Sequence, residues 1–245
     1  MTFLKWLVRI HKWVALIVGL QIVLWILGGV VMSAIPIEIV RGEHKIAEHN
    51  VQSVAIDEVL PLADAAKTLG ATTISSASLG EMLGEPVWRI EMKDGAVAIV
   101  DARSGEVLSP VGEERAKKIA ERDYNGSGNF NSIALIETPP SEYNKPGPVW
   151  RASFDDRDKT TIYVDPLKGE VTARRSETWR FYDFFWKLHI MDYDDGADFN
   201  HPLLITAAGT AIFVALSGFI LLIIKLRRSL IVWSKCRKNS QTFSD

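Results

Sequence analysis

Trp179-Arg180-Phe181-Tyr182-Asp183-Phe184-Phe185-Trp186-Lys187-Leu188-His189 opens the stretch that decides the fold. An acidic turn follows, Asp192-Tyr193-Asp194-Asp195-Gly196-Ala197-Asp198, then Asn200-His201-Pro202, and no charge occurs from Pro202 to Ile224. At ~1.5 Å per residue that uncharged run spans roughly 34 Å, enough to cross a hydrocarbon core of ~30 Å. Trp179, Tyr182, Trp186 and His189 recur at i, i+3, i+7 and i+10, one stripe of a helix. The stripe reads either as an interfacial helix in an aromatic belt, which needs no ligand, or as the wall of a site. His189 and His201 then sit at the mouth of a membrane helix.

A second apolar run, Val14 to Ile35, is interrupted only by Gln21 and is preceded by Lys5, Arg9 and Lys12. It is longer than the ~7–15 apolar residues of a signal peptide, so it reads as an uncleaved membrane helix, with cleavage after Ala34 as the minor alternative. Residues 1–37 carry a charge of +3 and residues 225–245 carry +5; the net charge of −2 less these eight positives leaves −10 between them. Basic ends around an acidic middle are the pattern of cytoplasmic flanks, so both termini are expected on the cytoplasmic side of the membrane and the centre outside it. A juxtamembrane anchor explains the basic tail without nucleic acid. Cys236 is the one cysteine, which excludes an intrachain disulfide and multi-thiolate metal sites.

The segment between the helices repeats itself. Pro86-Val87-Trp88-Arg89 recurs as Pro148-Val149-Trp150-Arg151. Polar turns follow at Lys93-Asp94-Gly95 and Asp155-Asp156-Arg157-Asp158, then β-branched runs Ala96–Asp101 and Thr160–Asp165, then Gly105-Glu106-Val107 and Gly169-Glu170-Val171. Helical patterns precede both copies: Ile56, Val59, Leu60, Ala63 and Ala66 in the first, Gly112 to Asp123 in the second. Each unit reads as a helix and an antiparallel meander of about three strands, and two of them make one α+β domain. Asn125–Asn129 and Thr138–Gly147 are turn and loop signals, and the glycines there lack the strand-to-helix context of a phosphate cradle.

The fold class expected is therefore membrane α+β, two transmembrane helices flanking an extracytoplasmic domain of two helix-plus-meander repeats. The boundaries are 1–37 for the N-terminus and first membrane helix, 38–52 for a linker, 53–110 and 111–178 for the repeats. Residues 179–201 form the aromatic interfacial helix and acidic turn, 202–224 the second membrane helix, and 225–245 a basic cytoplasmic tail.

Several short runs taken in order resemble the PepSY-associated transmembrane (PepSY-TM) family of bacterial inner-membrane proteins. They are Ile10-His11-Lys12-Trp13, Gly28-Gly29-Val30-Val31-Met32-Ser33, Pro36-Ile37-Glu38 and Arg41-Gly42-Glu43-His44. Phe185-Trp186-Lys187-Leu188-His189, Met191-Asp192-Tyr193, Asn200 and Ser217-Gly218 continue the series. The repeats are similar to PepSY domains. Larger relatives have about four membrane helices and are linked to iron-siderophore uptake, some resembling ferric-siderophore reductases that carry b-type haem. Two helices are half that core, so the resemblance implies a reductase role only if two chains pair or a partner membrane protein supplies the rest. Soluble PepSY modules are associated with inhibition or regulation of peptidases, which gives the alternative: a tethered module that binds an envelope partner without a redox cofactor.

A b-type haem needs axial ligands and no covalent motif. The candidates are His11 at the inner end and His44, His189 and His201 at the outer end, with Trp179 and Trp186 lining the outer site; His49 is the remaining histidine. About 24 helical residues, roughly 36 Å, separate His11 from the outer face, so His11 and His201 cannot share an iron. An outer haem would use two of His44, His189 and His201, and an inner one His11 from two chains or with a partner. Small residues support room for a flat ring, Ala208, Ala211, Ala215 and Gly218 below His201, and Ala15, Val18, Trp25 and Gly29 below His11. They equally allow close helix packing with no cofactor. Asp192, Asp194, Asp195 and Asp198 with His189 and His201 offer a divalent-metal alternative, although the loop fails EF-hand spacing. No Rossmann fingerprint, HExxH or nucleophile elbow occurs, so a flavin or nicotinamide donor would come from another protein; the resemblance implies a ferric chelate outside as the acceptor.

Overall fold

The computed structural model describes residues 3–48, 54–193, 196, 198 and 200–241, leaving aside the side chains of residues 3–5, 7 and 234–241. His49, Asp194 and Asp195 lie outside the described residues. The elements run α1 (Phe3–Ala34), α2 (Ile37–Val40), 3₁₀ turns at Glu43–Lys45 and Ile56–Glu58, α3 (Leu62–Thr68), β1 (Ile74–Met82), β2 (Glu85–Met92) and β3 (Val97–Asp101). They continue with α4 (Glu113–Asp123), β4 (Phe130–Ile136), β5 (Val149–Phe154), β6 (Thr161–Asp165), β7 (Glu170–Arg175), α5 (Glu177–Ile190) and α6 (Pro202–Gln241). The chain divides into a helical unit, residues 1–34 with 185–245, and an α+β unit, residues 35–184.

In the α+β unit the sheets are antiparallel meanders, β1-β2-β3 and β4-β5-β6-β7. The sequence repeat is a repeat of register: Trp88 pairs with Val100 and Trp150 with Val164, Arg89 with Ile99 and Arg151 with Tyr163. The Trp88 indole donates to the Leu60 carbonyl at 2.9 Å, and the Trp150 indole donates to the Val111 carbonyl at 2.9 Å. Each tryptophan thus fastens the chain just ahead of its own helix, α3 or α4. The hairpin ends also match, since Asp101 Oδ1 accepts from Arg103 and Ser104 N–H as Asp165 Oδ1 does from Leu167 and Lys168 N–H.

Three details differ from the expectation. The first helix is interrupted: Ile56–Glu58 is a 3₁₀ turn and α3 starts only after Pro61, because the residue before a proline is driven out of the helical region. Ile56, expected on the buried face, is 86% exposed. Each meander gains a leading strand, β1 and β4, whose runs Ile74-Ser75-Ser76-Ala77-Ser78 and Phe130-Asn131-Ser132-Ile133 lack clean alternation because they are edge strands. Finally, Gly105-Glu106-Val107 makes a single bridge, Val107 to Val100, whereas Gly169-Glu170-Val171 opens the full strand β7. Ser109 Oγ already accepts the Ile99 N–H, and Pro110 has no donor with which to extend a ladder.

Alternation along the strands assigns the faces. Ile90 and Val100 face Ala65 and Ala66 of α3 in a small core. Val87 and Ile99, on the opposite face of the first sheet, join Ala116, Ile119 and Ala120 of α4 and Ala152, Phe154, Ile162 and Val164 of the second sheet. The main core is therefore shared between repeats. The outer face of the second sheet, Val149, Tyr163 and Ala173, is covered by Tyr143 from the β4–β5 loop.

In the helical unit α1 and α6 pack antiparallel, with His11 level with Ser217 and Ile17–Trp25 alongside Leu203–Thr210. Val8–Ala34 and Pro202–Trp233 are long and apolar enough to cross a membrane, and their outward residues are exposed, such as Leu16 and Val23 on α1 and Phe213 and Leu216 on α6. Helix α6 runs past the uncharged stretch to Gln241, since Lys225 to Gln241 contains neither Gly nor Pro and is rich in good helix formers.

Candidate functional site

The histidines of the helical unit occupy two levels. His11 Nδ1 lies 2.8 Å from Ser217 Oγ, and Ser217 also donates to the Val214 carbonyl at 3.0 Å, so the hydroxyl proton is spent on its own helix and the imidazole Nδ1 donates to the oxygen. Its Nε2 then carries the lone pair. A side-chain carbon at Gly218 would stand 3.7 Å from the His11 ring. The small-residue stripe expected beneath His201 thus ends against His11, on the other helix.

His189, near the end of α5, has Nδ1 buried without a hydrogen-bond partner. It packs on α1 at Gly28, where a Cβ would lie 3.5 Å from the Phe185 carbonyl and 3.6 Å from the His189 ring. Gly29, expected in the stripe below His11, has nothing within 4 Å. One turn and two turns before Gly28 on the same face, Trp25 Nε1 and Gln21 Nε2 are likewise buried and unpartnered. Both residues line a groove of about 410 Å³ between α1 and α6, otherwise walled by Ile17, Leu24, Met191 and Ala207. His11 and Gly28 are 17 positions apart on α1, ~26 Å along the helix, so His11 and His189 define separate sites.

His201 stands just ahead of α6 and its Nδ1 accepts the Leu203 N–H at 3.3 Å, a capping contact that assigns the proton to Nε2. His44 lies exposed in a 3₁₀ turn of the α+β unit. The two tryptophans separate in role: Trp186 donates from Nε1 to the Gly196 carbonyl at 3.0 Å, holding the acidic turn, and the Trp179 ring lies 4.2 Å from the Arg175 guanidinium. Asp192 is buried and accepts the Asp198 N–H at 3.1 Å. Among the described residues no three His, Cys, Asp or Glu side chains converge in a group that could hold a metal ion. A haem iron asks for only two axial donors and a space for the ring. Glycine beside His11 and beside His189 lets a neighbouring helix close onto each ring, and Ser217 fixes the His11 ring as a supporting hydrogen bond does for a metal-ligating histidine. The level of Ser217 offers one imidazole per chain, that of His11, and the Gly28 end of the helical unit carries His189 and His201.

The α+β unit holds two charged clusters that sequence reading did not single out. Glu142, from the β4–β5 loop, accepts from the fully buried Tyr163 hydroxyl at 2.5 Å and from Arg180 of α5 at 2.9 Å. Burial opposes its charge, but the Arg180 and Tyr163 hydrogen bonds outweigh it and hold the carboxyl below its ordinary pKa; burial and the same carboxylate push the Tyr163 hydroxyl well up. Lys45 reaches into the β5–β6 turn, where Asp156 and Asp158 receive it. Both clusters join segments far apart in sequence, so no local spacing announces them.

Among the described residues, two apolar helices and, between them in sequence, an α+β unit of two meanders define a membrane protein with a folded domain between its spans. The chain matches the family model described as the PepSY-associated TM region over residues 8–244, and it belongs to that PepSY-TM family. No curated protein and no solved structure matches it.

Proposed function

We propose that this PepSY-TM protein binds b-type haem at its helix-borne histidines and passes electrons across the bacterial inner membrane. The observation that carries the reading is that His11 and His189, ~26 Å apart along α1, each pack their ring on a glycine of a neighbouring helix. A haem, when bound, supplies one-electron chemistry. The chain's own contribution is to present donors: Ser217 engages Nδ1 of His11 and leaves Nε2 for ligation, while the glycines seat each ring against a neighbouring helix. His201, on giving up its contact with the Leu203 N–H, would complete the outer pair with His189. His11 of a second copy, or a partner membrane protein, would complete the inner one. The basic ends support an orientation with both termini cytoplasmic and the α+β unit periplasmic, where a ferric chelate is the acceptor class the family resemblance suggests.

Visible spectra of the detergent-purified protein, oxidised and dithionite-reduced, test this. Sharp reduced α and β bands that weaken in both His11→Ala and His189→Ala are expected. A featureless spectrum after expression with ample haem would overturn the proposal and favour the second reading, a tethered module that binds an envelope protein such as a peptidase. That reading draws on β1, a nine-residue edge strand open to strand addition. It predicts that full-length protein lacking His11, His44, His189 and His201 captures the same partner as wild type.

A further inference from the structure

Residues 35–48 bring the chain from α1 into the α+β unit, and α5 takes it out again. Both segments are tied to one place, the turn between β5 and β6. The Lys45 ammonium lies 2.7 Å from Asp156 Oδ2, 2.8 Å from Asp158 Oδ2 and 3.1 Å from Thr160 Oγ1. These side chains are largely enclosed, 15% exposed for Lys45 and 3% for Asp156. Asp156 is set by its own turn, accepting Thr160 N–H at 2.7 Å and Thr160 Oγ1–H at 2.6 Å. Around Lys45 the incoming backbone is stitched down, with Asn125 N–H donating to the Lys45 carbonyl at 2.8 Å and Ala47 N–H to the Asp123 carbonyl at 2.9 Å.

The outgoing segment meets the same turn from its other side. The first residue of α5, Glu177, donates its N–H to the Asp158 carbonyl at 2.8 Å, and its carboxylate lies 3.8 Å from Lys159 Nζ. Asp158 therefore holds the incoming segment with its side chain and the outgoing helix with its backbone. A second link runs parallel: Gly42 lies against Arg174, whose guanidinium is paired with Asp123 at the end of α4. Arg174 is two residues ahead of Ser176, whose hydroxyl accepts the Trp179 N–H at 3.1 Å. None of these contacts involves the first repeat.

We propose that the Asp155–Thr160 turn is a latch that couples the two chain connections leading to the membrane helices, so that displacement of either segment is transmitted to the other through Asp158. Lys45 is the bolt of the latch, and its ammonium is what keeps the buried Asp156 charged and the turn in shape. An event at the second repeat that shifts this turn reaches both connections at once. The first repeat is left outside that route. The inference is independent of haem.

Hydrogen exchange on full-length protein in nanodiscs tests it, comparing wild type with Lys45→Met and with Lys67→Met, which removes an exposed ion pair to Asp64 in the first repeat. Lys45→Met is expected to raise exchange about tenfold at residues 43–47 and also at Glu177–Arg180, whose amides make no contact with Lys45. Lys67→Met is expected to leave both segments unchanged. A rise confined to residues 43–47 would overturn the proposal, because Lys45 would then be a local pin. Should Lys45→Met not fold, Ser176→Ala, which removes the acceptor of the Trp179 N–H at the start of α5, provides the reciprocal arm. Faster exchange at residues 43–47 in that variant supports the coupling, and unchanged exchange there overturns it.

Discussion

Burial disfavours the carboxylate of Asp156, yet its pKa lies below the ordinary value because the Lys45 ammonium and two Thr160 donors face it. Burial likewise disfavours the Lys45 ammonium, and the hydrogen bonds and charges of Asp156 and Asp158 outweigh that to raise its pKa. A depressed acid stabilises above its unfolded pKa, ~3.9, and loses that contribution as pH falls through the folded value; a raised lysine stabilises below ~10.4 and loses it as pH rises through its folded value. The stability difference between wild type and Lys45→Met should therefore be flat from about pH 5 to 9 and shrink below about pH 4, as read from urea midpoints. Its plateau is about 3 kcal/mol, the scale for stranding one charge of an enclosed pair. Gly169 is the other decisive single residue. Its φ of +59° suits glycine, and a Cβ there would stand 2.7 Å from Met82 Sδ and 2.8 Å from Ile99 Cδ1, both in the first repeat. Gly169→Ala should cost about 2–4 kcal/mol, combining backbone strain with overpacking. Gly105, its counterpart in the first repeat, meets only Leu60 Cδ1, at 3.2 Å, and Thr68 Cγ2, at 3.5 Å, both at side-chain ends, so Gly105→Ala should cost about 1 kcal/mol. Equal losses in the two variants would contradict the assignment of Gly169 to the contact between repeats.

At the scale of elements, the tryptophans explain why α3 and α4 lie on equivalent faces of their sheets. Each indole bonds the carbonyl two residues ahead of its helix, and alternation then sends residues such as Trp88 and Ile90 toward α3. The helices differ in what else they bury: α4 contributes to the core shared by both repeats, α3 only to a local one. Between α5 and α1 the deciding position is Gly28. A Cβ there would be in ordinary contact at 3.5–3.6 Å, so Gly28→Ala should melt within a few degrees of wild type in detergent. Gly28→Leu needs space that Phe185 and His189 fill, and it should lower the melting temperature by about 5 °C or more. A leucine variant as stable as wild type would show that His189 is not seated against α1.

For the whole molecule, membership of the PepSY-TM family and two spanning helices make it a membrane protein, and its histidines fall at two levels rather than one. That spacing sets what the haem-to-chain ratio would mean. One haem per chain fits an outer site filled by the chain's own His189 and His201, and one further haem per two chains fits an inner site completed by His11 from each copy. With the inner site lost and the outer retained, His11→Ala should therefore lower the ratio from about 1.5 to about 1. A ratio that does not change would remove His11 from the proposal.

The two membrane spans, the internal repeat and the family were legible in residue order alone, because they rest on properties that short windows carry. Uncharged runs of more than twenty residues, Pro-Val-Trp-Arg twice over, and Asp-x-x-x-Gly-Glu-Val twice over are local facts. The edge strands β1 and β4 were not legible, since an edge exposes much of both faces and blurs the period of two. Pro61 was visible, but the apolar spacing from Ile56 onward concealed the break it imposes. Only tertiary structure could decide that His11 meets Ser217, 206 positions away, that His189 rests on Gly28, or that Lys45 answers Asp156 and Asp158. Side chains that close a loop of a hundred residues or more have no local signal; their meeting depends on the packing of every element between them.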